Sequence, residues 1–471
     1  MSTQINKPRL SPTPRLHFLG IGGSGMAPLA ELAFLNGYKV SGSDSTNSEK
    51  AQYLKRLGIN ITIGNSSQNI EHTESNTTVV YSSAIKENNS ELMEAILRKL
   101  PLLHRSDLLH FFISQKSNSI TVAGTHGKST TSSMIAFLLH QLGQDPSSII
   151  GAKLKSFSSL ALNGKSEYIV AEADESDGTL IKYEPYVAVL TSVDFDHMDF
   201  YRDHDHILET YEKYLSNIHK DGWGILNFED PYCYELSHSL KIKKLSYGFS
   251  VSPHLYVDIQ GSNYSCKNAK SSFSVNFNKI DYKAGLNLIG KHNSENALAT
   301  YACGVALGFK IKDCIESLES FPGVKRRLEC IYKSKNVILF DDYAHNPTKI
   351  QSVLNALRTS SPSSKVIAIF QPHRHSRIKS LYNKFVGTFS DANLVYVLPI
   401  YSSGEHDDHP IPSETIALDI ERTSHVPAVF VENFEKAKES IVESITSDSI
   451  IITLGAGDVW QLAQTLKERL S

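Results

Sequence analysis

The segment Gly124-Thr125-His126-Gly127-Lys128-Ser129-Thr130-Thr131 carries the residue types that grip an oligophosphate. A β-branched run, Ile120-Thr121-Val122-Ala123, precedes it, and an apolar-periodic stretch from Ser133 to Leu142 follows. That order predicts a strand, a glycine turn and a helix whose first N–H groups face the turn. Backbone donors would then meet the anion, Lys128 would add a point charge, and a hydroxyl would take Mg²⁺. The residue six before Lys128 is Val122, so the general P-loop spacing is not met. A glycine turn bearing a solvated lysine is the plainer alternative, but it does not call for the strand and helix on either side. The segment predicts binding of a nucleotide triphosphate.

A second glycine run, Gly20-Ile21-Gly22-Gly23-Ser24-Gly25, follows the first apolar strand pattern, and Asp44 lies after the next. Its glycines would let a pyrophosphate approach a helix N-terminus. A dinucleotide and a UDP-sugar both contain that group, and a tight structural turn would need the same glycines. The ligand stays open on the motif alone.

Two acidic strings sit where strands should end. Glu172-Ala173-Asp174-Glu175-Ser176-Asp177-Gly178 places four acids in six residues, which repel one another unless a cation or substrate donors compensate. Asp194-Phe195-Asp196-His197-Met198-Asp199 adds carboxylates and an imidazole. Beside a phosphate loop, such groups suit Mg²⁺. Solvated acidic turns are common, but strand C-termini are where α/β sheets place ligands.

Later motifs recur at strand ends. Asp341-Asp342-Tyr343-Ala344-His345-Asn346-Pro347, Gln371-Pro372-His373-Arg374-His375-Ser376-Arg377 and Gly455-Ala456-Gly457-Asp458 each close an apolar run. Two arginines at one strand end suit capture of a carboxylate or phosphate. Lys291-His292-Asn293-Ser294-Glu295-Asn296 opens a helical pattern and on its own is a capping segment; Arg326-Arg327 on its own is a solvated pair.

The elements that must hold these residues alternate between short β-branched runs and helical patterns. Leu16–Leu19, Lys39–Ser41, Ile59–Ile63 and Thr78–Tyr81 predict one doubly wound sheet. After a polar patch at Ser114–Ser119, Ile120–Ala123, Tyr168–Ala171, Val187–Thr191 and Gly224–Leu226 predict a second. Ser246 to Leu288 alternates and is rich in Ser and Asn, which suggests an antiparallel insertion. Past Pro322-Gly323, the runs Val337–Phe340, Val366–Phe370, Leu394–Leu398, Val429–Val431 and Ile450–Leu454 predict a third. The expected domains are 1–113, 114–322 and 323–471.

Bulk properties fit this reading. The 471 residues exceed one ordinary core, and 41% hydrophobic with 21% charged content suits a globular protein. A net charge of −3 supplies no field for nucleic acid or an anionic membrane, so neither partner is expected. Five scattered cysteines without a C-x-x-C pair argue for a reducing compartment. With no apolar leader pattern or spanning run, the expected location is cytoplasmic, and the first dozen residues are expected to form a disordered tail.

Taken in order, the motifs resemble the Mur ligase family of ATP-dependent amide-forming enzymes over nearly the whole chain. The carriers are GIGGSGM at Gly20–Met26, SSAI at Ser82–Ile85, GTHGKSTT at Gly124–Thr131, EADESDG at Glu172–Gly178 and DHMD at Asp196–Asp199. HNSENAL at His292–Leu298, DDYAHNP, PHRHSR and GAGD complete them. The resemblance implies a Rossmann-like UDP-sugar domain, a central P-loop ATPase-type α/β domain and a Rossmann-like C-terminal domain. It implies ligation of L-alanine to UDP-N-acetylmuramate through an acyl phosphate, with ATP and two Mg²⁺ ions.

By resemblance, Gly20, Gly22, Gly23, Ser24, Gly25, Asp44, Ser83, His104 and Arg105 would hold the UDP-sugar. Gly124, Thr125, His126, Gly127, Lys128, Ser129, Thr130, Asn293, Arg327 and Asp342 would hold ATP. Ser129, Glu172 and His197 would ligate metal, and His345, His373, Arg374 and Arg377 would line the amino-acid side. Lys128, Glu172, His197 and Arg377 would be catalytic. Asn346 stands where relatives carry a second histidine, and Ser129 replaces a common threonine while keeping the hydroxyl. Lys213 does not match the register of a carboxylated lysine. A relative adding a preformed peptide is the nearest alternative. A nicotinamide-dependent oxidoreductase would account for Gly20–Gly25 and for nothing after residue 120.

Overall fold

The computed structural model describes residues 15–471 apart from 154, 158, 195–199, 250–254, 268–269 and 447. The described chain forms three sheets flanked by helices and divides into two compact units. The first unit runs to Asn263 and adds Phe273–Ala284 and Ser294–Phe321; the second comprises Tyr264–Ser272, Gly285–Asn293 and Pro322–Ser471.

The first unit holds the first sheet and most of the second. In the first sheet, five parallel strands lie in the order Asn60–Ile63, Lys39–Asp44, Arg15–Leu19, Thr77–Tyr81, Leu102–His104. The strand order reverses beside Arg15–Leu19, and the glycine run leaves the carboxyl end of that strand, where open sheets leave a crevice. The following helix, Met26–Leu35, buries every residue from Met26 to Ala33, which explains a sequence apolar except for Glu31, whose carboxylate accepts from Tyr53 OH, Leu160 N and Ala161 N.

The second sheet has ten described strands. They lie in the order Ile280–Leu286, Lys270–Phe277, Ile259–Lys267, Lys243–Gly248, Trp223–Asn227, Val187–Leu190, Asn118–Ala123, Tyr168–Glu172, Ser147–Ile149, Ala161–Leu162. Asn118–Ala123 is central and parallel to both neighbours, and residues 119–123 are buried. Parallel strands covered on both faces are largely apolar. Here the two polar residues among the buried five, Ser119 and Thr121, are hydrogen-bonded, Thr121 Oγ1 with Tyr214 OH (2.6 Å) and Ser119 Oγ accepting from Tyr186 N (3.1 Å). The helix Lys128–Gln141 returns over the sheet with Ser129 through Leu139 all buried.

The stretch between Ser246 and Leu288, expected as an antiparallel insertion, lies at the margin of the central sheet, where its first pair is parallel and its last two strands form a hairpin. Lys243–Gly248 and Ile259–Lys267 continue the sheet in parallel, and two further strands extend its edge. The alternation marks strands buried on one face, as in Lys270–Phe277, and these strands extend the central sheet. Asn278 and Lys279, at φ 52° and 65°, make a two-residue turn of the hairpin type between the last two strands. The expected linker at Ser114–Ser119 is also shorter. Ser114 still belongs to the helix Arg105–Ser114, and Asn118 already opens a strand.

The second unit carries a six-stranded sheet in the order Glu329–Lys333, Val337–Asp342, Ser449–Leu454, Lys365–Phe370, Leu394–Val397, Ala428–Phe430. All pairs are parallel except the first edge strand, which the sequence pattern did not reveal because it is short and largely exposed. Its two faces pack separate cores. Ile350, Leu354, Phe370 and Phe385 lie in one, and Leu339, Ile369, Ile451 and Leu462 in the other. Asp342, Phe370 and Leu454 pair at the carboxyl ends of three adjacent strands, so the late motifs emerge together.

Candidate functional site

In the glycine loop after Asn118–Ala123, Gly124 has φ +127° and Gly127 φ +82°, conformations that side-chain-bearing residues rarely adopt. Gly127 caps the helix Lys128–Gln141 without any side-chain bond, leaving the first helical N–H groups facing the loop. The loop is fastened to the next strand end. Thr125 N donates to Ser192 O (3.0 Å), His126 N to Ser192 Oγ (3.0 Å), and His126 Nε2 lies 3.2 Å from Asp194 Oδ2. Thr130, in the first helical turn, is buried.

Lys128 Nζ donates to Gly124 O (2.6 Å) and meets Glu175 at 2.8 Å. Burial pulls the lysine pKa down, but the charges of Glu175 and Glu172 outweigh it and hold the group above its ordinary value. A buried cation among backbone carbonyls and an uncapped helix start suit an oligophosphate. Ser129 Oγ donates to Glu172 Oε1 (2.9 Å), and Gly151 N donates to Glu172 Oε2 (3.0 Å). A hydroxyl and a carboxylate in contact are hard oxygen donors that fit Mg²⁺. His197 lies outside the described residues. No cluster of three or more His, Cys, Asp or Glu able to hold a metal occurs among the described ones.

The glycine run of the first sheet folds as a tight turn: Gly23 N donates to Gly20 O (3.0 Å), and the helix begins at Met26. Gly23 and Ser24 are exposed. Asp44 uses its oxygens on this framework, accepting from Gly22 N (2.8 Å), Thr46 N (2.9 Å) and Thr46 Oγ1 (3.1 Å). It shapes the glycine turn. Arg105 lies across the turn, its Nη1 3.3 Å from where a Cβ on Gly25 would sit. Arg105 Nη2 also pairs with Asp174 (2.8 Å) and Asp177 (3.3 Å). Ser83 Oγ donates to Asp177 Oδ2 (2.6 Å) and lies 3.0 Å from His104 Nε2. Ser83 and His104 help line a cleft of about 740 Å³ with Tyr81, Ile85 and Leu92.

In the second unit, three of the four expected amino-acid-side residues gather. Arg377 Nη1 lies 3.0 Å from His373 Nδ1, and the His373 ring is 6.0 Å from His345. Burial, then Arg377 and Arg374, push His373 down to about 4, so at neutral pH its Nδ1 can accept from the guanidinium. His373 stacks on Tyr401 at 5.6 Å. Arg374 turns away toward Glu405 (3.9 Å), with φ +65°. Asp342 accepts from Leu328 N and Ala344 N, both at 2.7 Å, and Arg327 lies over the Tyr343 ring. Asn293 donates to Ile289 O (2.7 Å). Asn346 caps the helix Pro347–Ser360 by accepting from Lys349 N (2.9 Å), a structural use that explains the residue. In the first unit, Lys213 is exposed and faces Glu209 at 3.8 Å.

Comparison with known proteins settles the family. The Mur ligase family catalytic domain matches residues 15–117, the Mur ligase middle domain 122–304, and the Mur ligase glutamate ligase domain 326–457. A UDP-N-acetylmuramate–L-alanine ligase of Endomicrobium trichonymphae is 35% identical over 96% of this chain and 98% of its own length. One from Desulfosudis oleivorans is 38% identical over 95% and 97%. The chain belongs to the Mur ligase family. The crystal structure of a Mur ligase from Thermotoga maritima, a UDP-N-acetylmuramate–alanine ligase, superposes with TM-score 0.83 at 26% identity, covering 97% of this chain and 99% of that one. A murein peptide ligase of Psychrobacter arcticus shares the fold, with TM-score 0.72 at 22% identity over 97% and 98%.

This Mur ligase uses several residues at these sites that motif reading did not single out. Glu175 holds Lys128, and its position inside the acidic string was the available signal. Asn296 Oδ1 accepts from Thr131 Oγ1 (3.1 Å) and closes over Gly127. In the second unit, Arg326 Nη2 donates to Gly455 O, and its Nε lies 3.3 Å from Asp341. Burial raises the Asp341 pKa to about 6 despite Arg326. No helix among the described residues is long and apolar enough to cross a membrane.

Proposed function

We propose that this Mur ligase joins L-alanine to UDP-N-acetylmuramate at the expense of ATP, releasing ADP and phosphate, in the cytoplasm. The near-full-length identity to relatives bearing that activity in their names supports the reading. The carrying observation is Lys128 at an uncapped helix start with Ser129 and Glu172 in contact beside it.

A carboxylate resists attack by an amine because its charge must be lost first. Its oxygen therefore attacks the γ-phosphorus of ATP, the bond to ADP breaks, and an acyl phosphate forms. The amine of alanine then attacks the carbonyl carbon, loses a proton, and phosphate departs. Such chemistry depends on positioning and charge neutralisation. Lys128 would hold the β- and γ-phosphates. Ser129 and Glu172 would hold one Mg²⁺, with His197 at a second; bound there, the metal neutralises oligophosphate charge. Arg105, Ser83 and His104 would meet the sugar nucleotide. Asn293, Arg327 and Asp342 would serve the adenosine side, while Arg377, His373 and His345 would receive alanine.

Phosphate release with UDP-N-acetylmuramate, measured against a panel of free amino acids and a tripeptide, tests the reading. Alanine should be preferred among them. Preference for the tripeptide would assign the chain to peptide addition instead.

A further inference from the structure

One short string faces two sites in the first unit. Glu172 meets Ser129, Glu175 meets Lys128, and Asp174 and Asp177 meet Arg105, with Ser83 also on Asp177. The Lys128–Glu175 and Arg105–Asp177 contacts are enclosed, with side-chain exposure of 15% and 5% in the first and 12% and 10% in the second, while Asp174 is 40% exposed at the rim. We propose that the string couples the two substrate sites, with Glu175 positioning Lys128 and Asp174 and Asp177 positioning Arg105, so that either ligand tightens the other. The coupling rests on the assignment of Lys128 to the nucleotide and Arg105 to the sugar nucleotide.

The string is internally braced, so its acids do not move independently. Ser176 N donates to Asp174 Oδ1 (3.1 Å), Gly178 N to Glu175 O (3.0 Å), Thr179 N to Asp177 Oδ1 (3.2 Å), and Tyr201 OH to Glu175 O (2.6 Å). Drawing Glu175 off Lys128 therefore disturbs the turn that presents Asp174 and Asp177. Both cations are engaged by carboxylates, and an arriving phosphate must replace them. Stripping one partner from an enclosed pair is strongly unfavourable unless another anion takes its place. An oligophosphate supplies that anion at Lys128 and repels the liberated Glu175. The displaced string then leaves Arg105 open to the second anion. The first ligand bears the displacement and the second does not, which is positive coupling, reciprocal by linkage.

Calorimetry on the whole protein tests this. UDP-N-acetylmuramate is titrated with and without saturating Mg²⁺ and a non-hydrolysable ATP analogue, then the order is reversed. In the wild type, Kd should fall at least about fivefold in each direction, by the same factor. Glu175→Gln keeps the shape and removes the charge, so its nucleotide-free affinity for the sugar nucleotide should move toward the nucleotide-bound value. The coupling factor should fall below about two. Asp177→Asn should do likewise from the other end, and serves if the first variant does not fold. A merely structural role would lower the melting temperature and leave the factor intact. Undiminished coupling in a folded variant, or no coupling in a wild type that binds both ligands, overturns the proposal. A wild type that fails to bind one ligand overturns the substrate assignment instead.

Discussion

Gly127 and Asn296 fit as a gap and its filler: a Cβ on Gly127 would sit 2.6 Å from Asn296 Oδ1. The loop and the helix Lys291–Ala306 are therefore matched at one atom, with Thr131 Oγ1 bonded to the same oxygen.

Gly127→Ala meets two penalties, a backbone at φ +82° and this contact. The left-handed conformation alone costs about 1–2 kcal/mol. Thermal unfolding should show a loss on the order of 1–3 kcal/mol, and affinity for an ATP analogue should drop at least about tenfold. Unchanged nucleotide affinity in the folded variant would remove the loop from the nucleotide site.

Lys128→Ala should reduce phosphate release by about two to three orders of magnitude, the scale of losing one preorganised charge contact. Binding of UDP-N-acetylmuramate should not weaken, because Arg105, Ser83 and His104 are untouched. Parallel loss of both in a folded variant, seen by calorimetry, would count against the assignment.

Arg377→Lys keeps the charge and loses the planar fork that also reaches His373. The KM for alanine should rise by a factor of about ten to a hundred and fifty, equivalent to about 1.5–3 kcal/mol, while that for UDP-N-acetylmuramate moves little. Turnover falling at constant KM would place the arginine on the phosphate. No change in either would make it a bystander.

His17 sits in the central strand of the first sheet, 3.0 Å from Ser41 Oγ, and burial lowers its pKa from 6.5 to about 4. The unfolded chain binds a proton below pH 6.5 while the folded chain resists it until about 4. This group's stabilising contribution is therefore present above 6.5 and lost as pH falls through that window. Between pH 7 and pH 5 the wild type should lose on the order of 2 kcal/mol more than His17→Gln. Denaturant titrations at both pH values check it; equal losses would show that His17 titrates normally.

The parallel strands were legible because burial on both faces writes a continuous apolar run, as in Val366–Phe370, and the loops because only glycine tolerates Gly124 and Gly127. Edge elements were harder. Glu329–Lys333 has charges at both ends and an exposed face, and Ile259–Leu286 alternates equally well as an insert or as a sheet margin. Partner choice was least legible. Nothing in the order Asp174-Glu175-Ser176-Asp177 says that the middle acid faces Lys128 and its neighbours Arg105, since that depends on how the turn is braced. Asn346 illustrates the same limit, its capping bond depending on Lys349 N.

The second unit includes Tyr264–Ser272 and Gly285–Asn293, laid down well before its main body begins at Pro322. Ile289 belongs to the same core as Phe340, Ile350 and Phe370. On a ribosome these early segments emerge ahead of the residues that cover them, so apolar side chains such as Ile289 wait in water while the rest of the unit is translated. The first unit can finish most of its sheet-building in that interval, but a nascent chain stalled there would expose a sticky edge, a natural place for a chaperone to hold it.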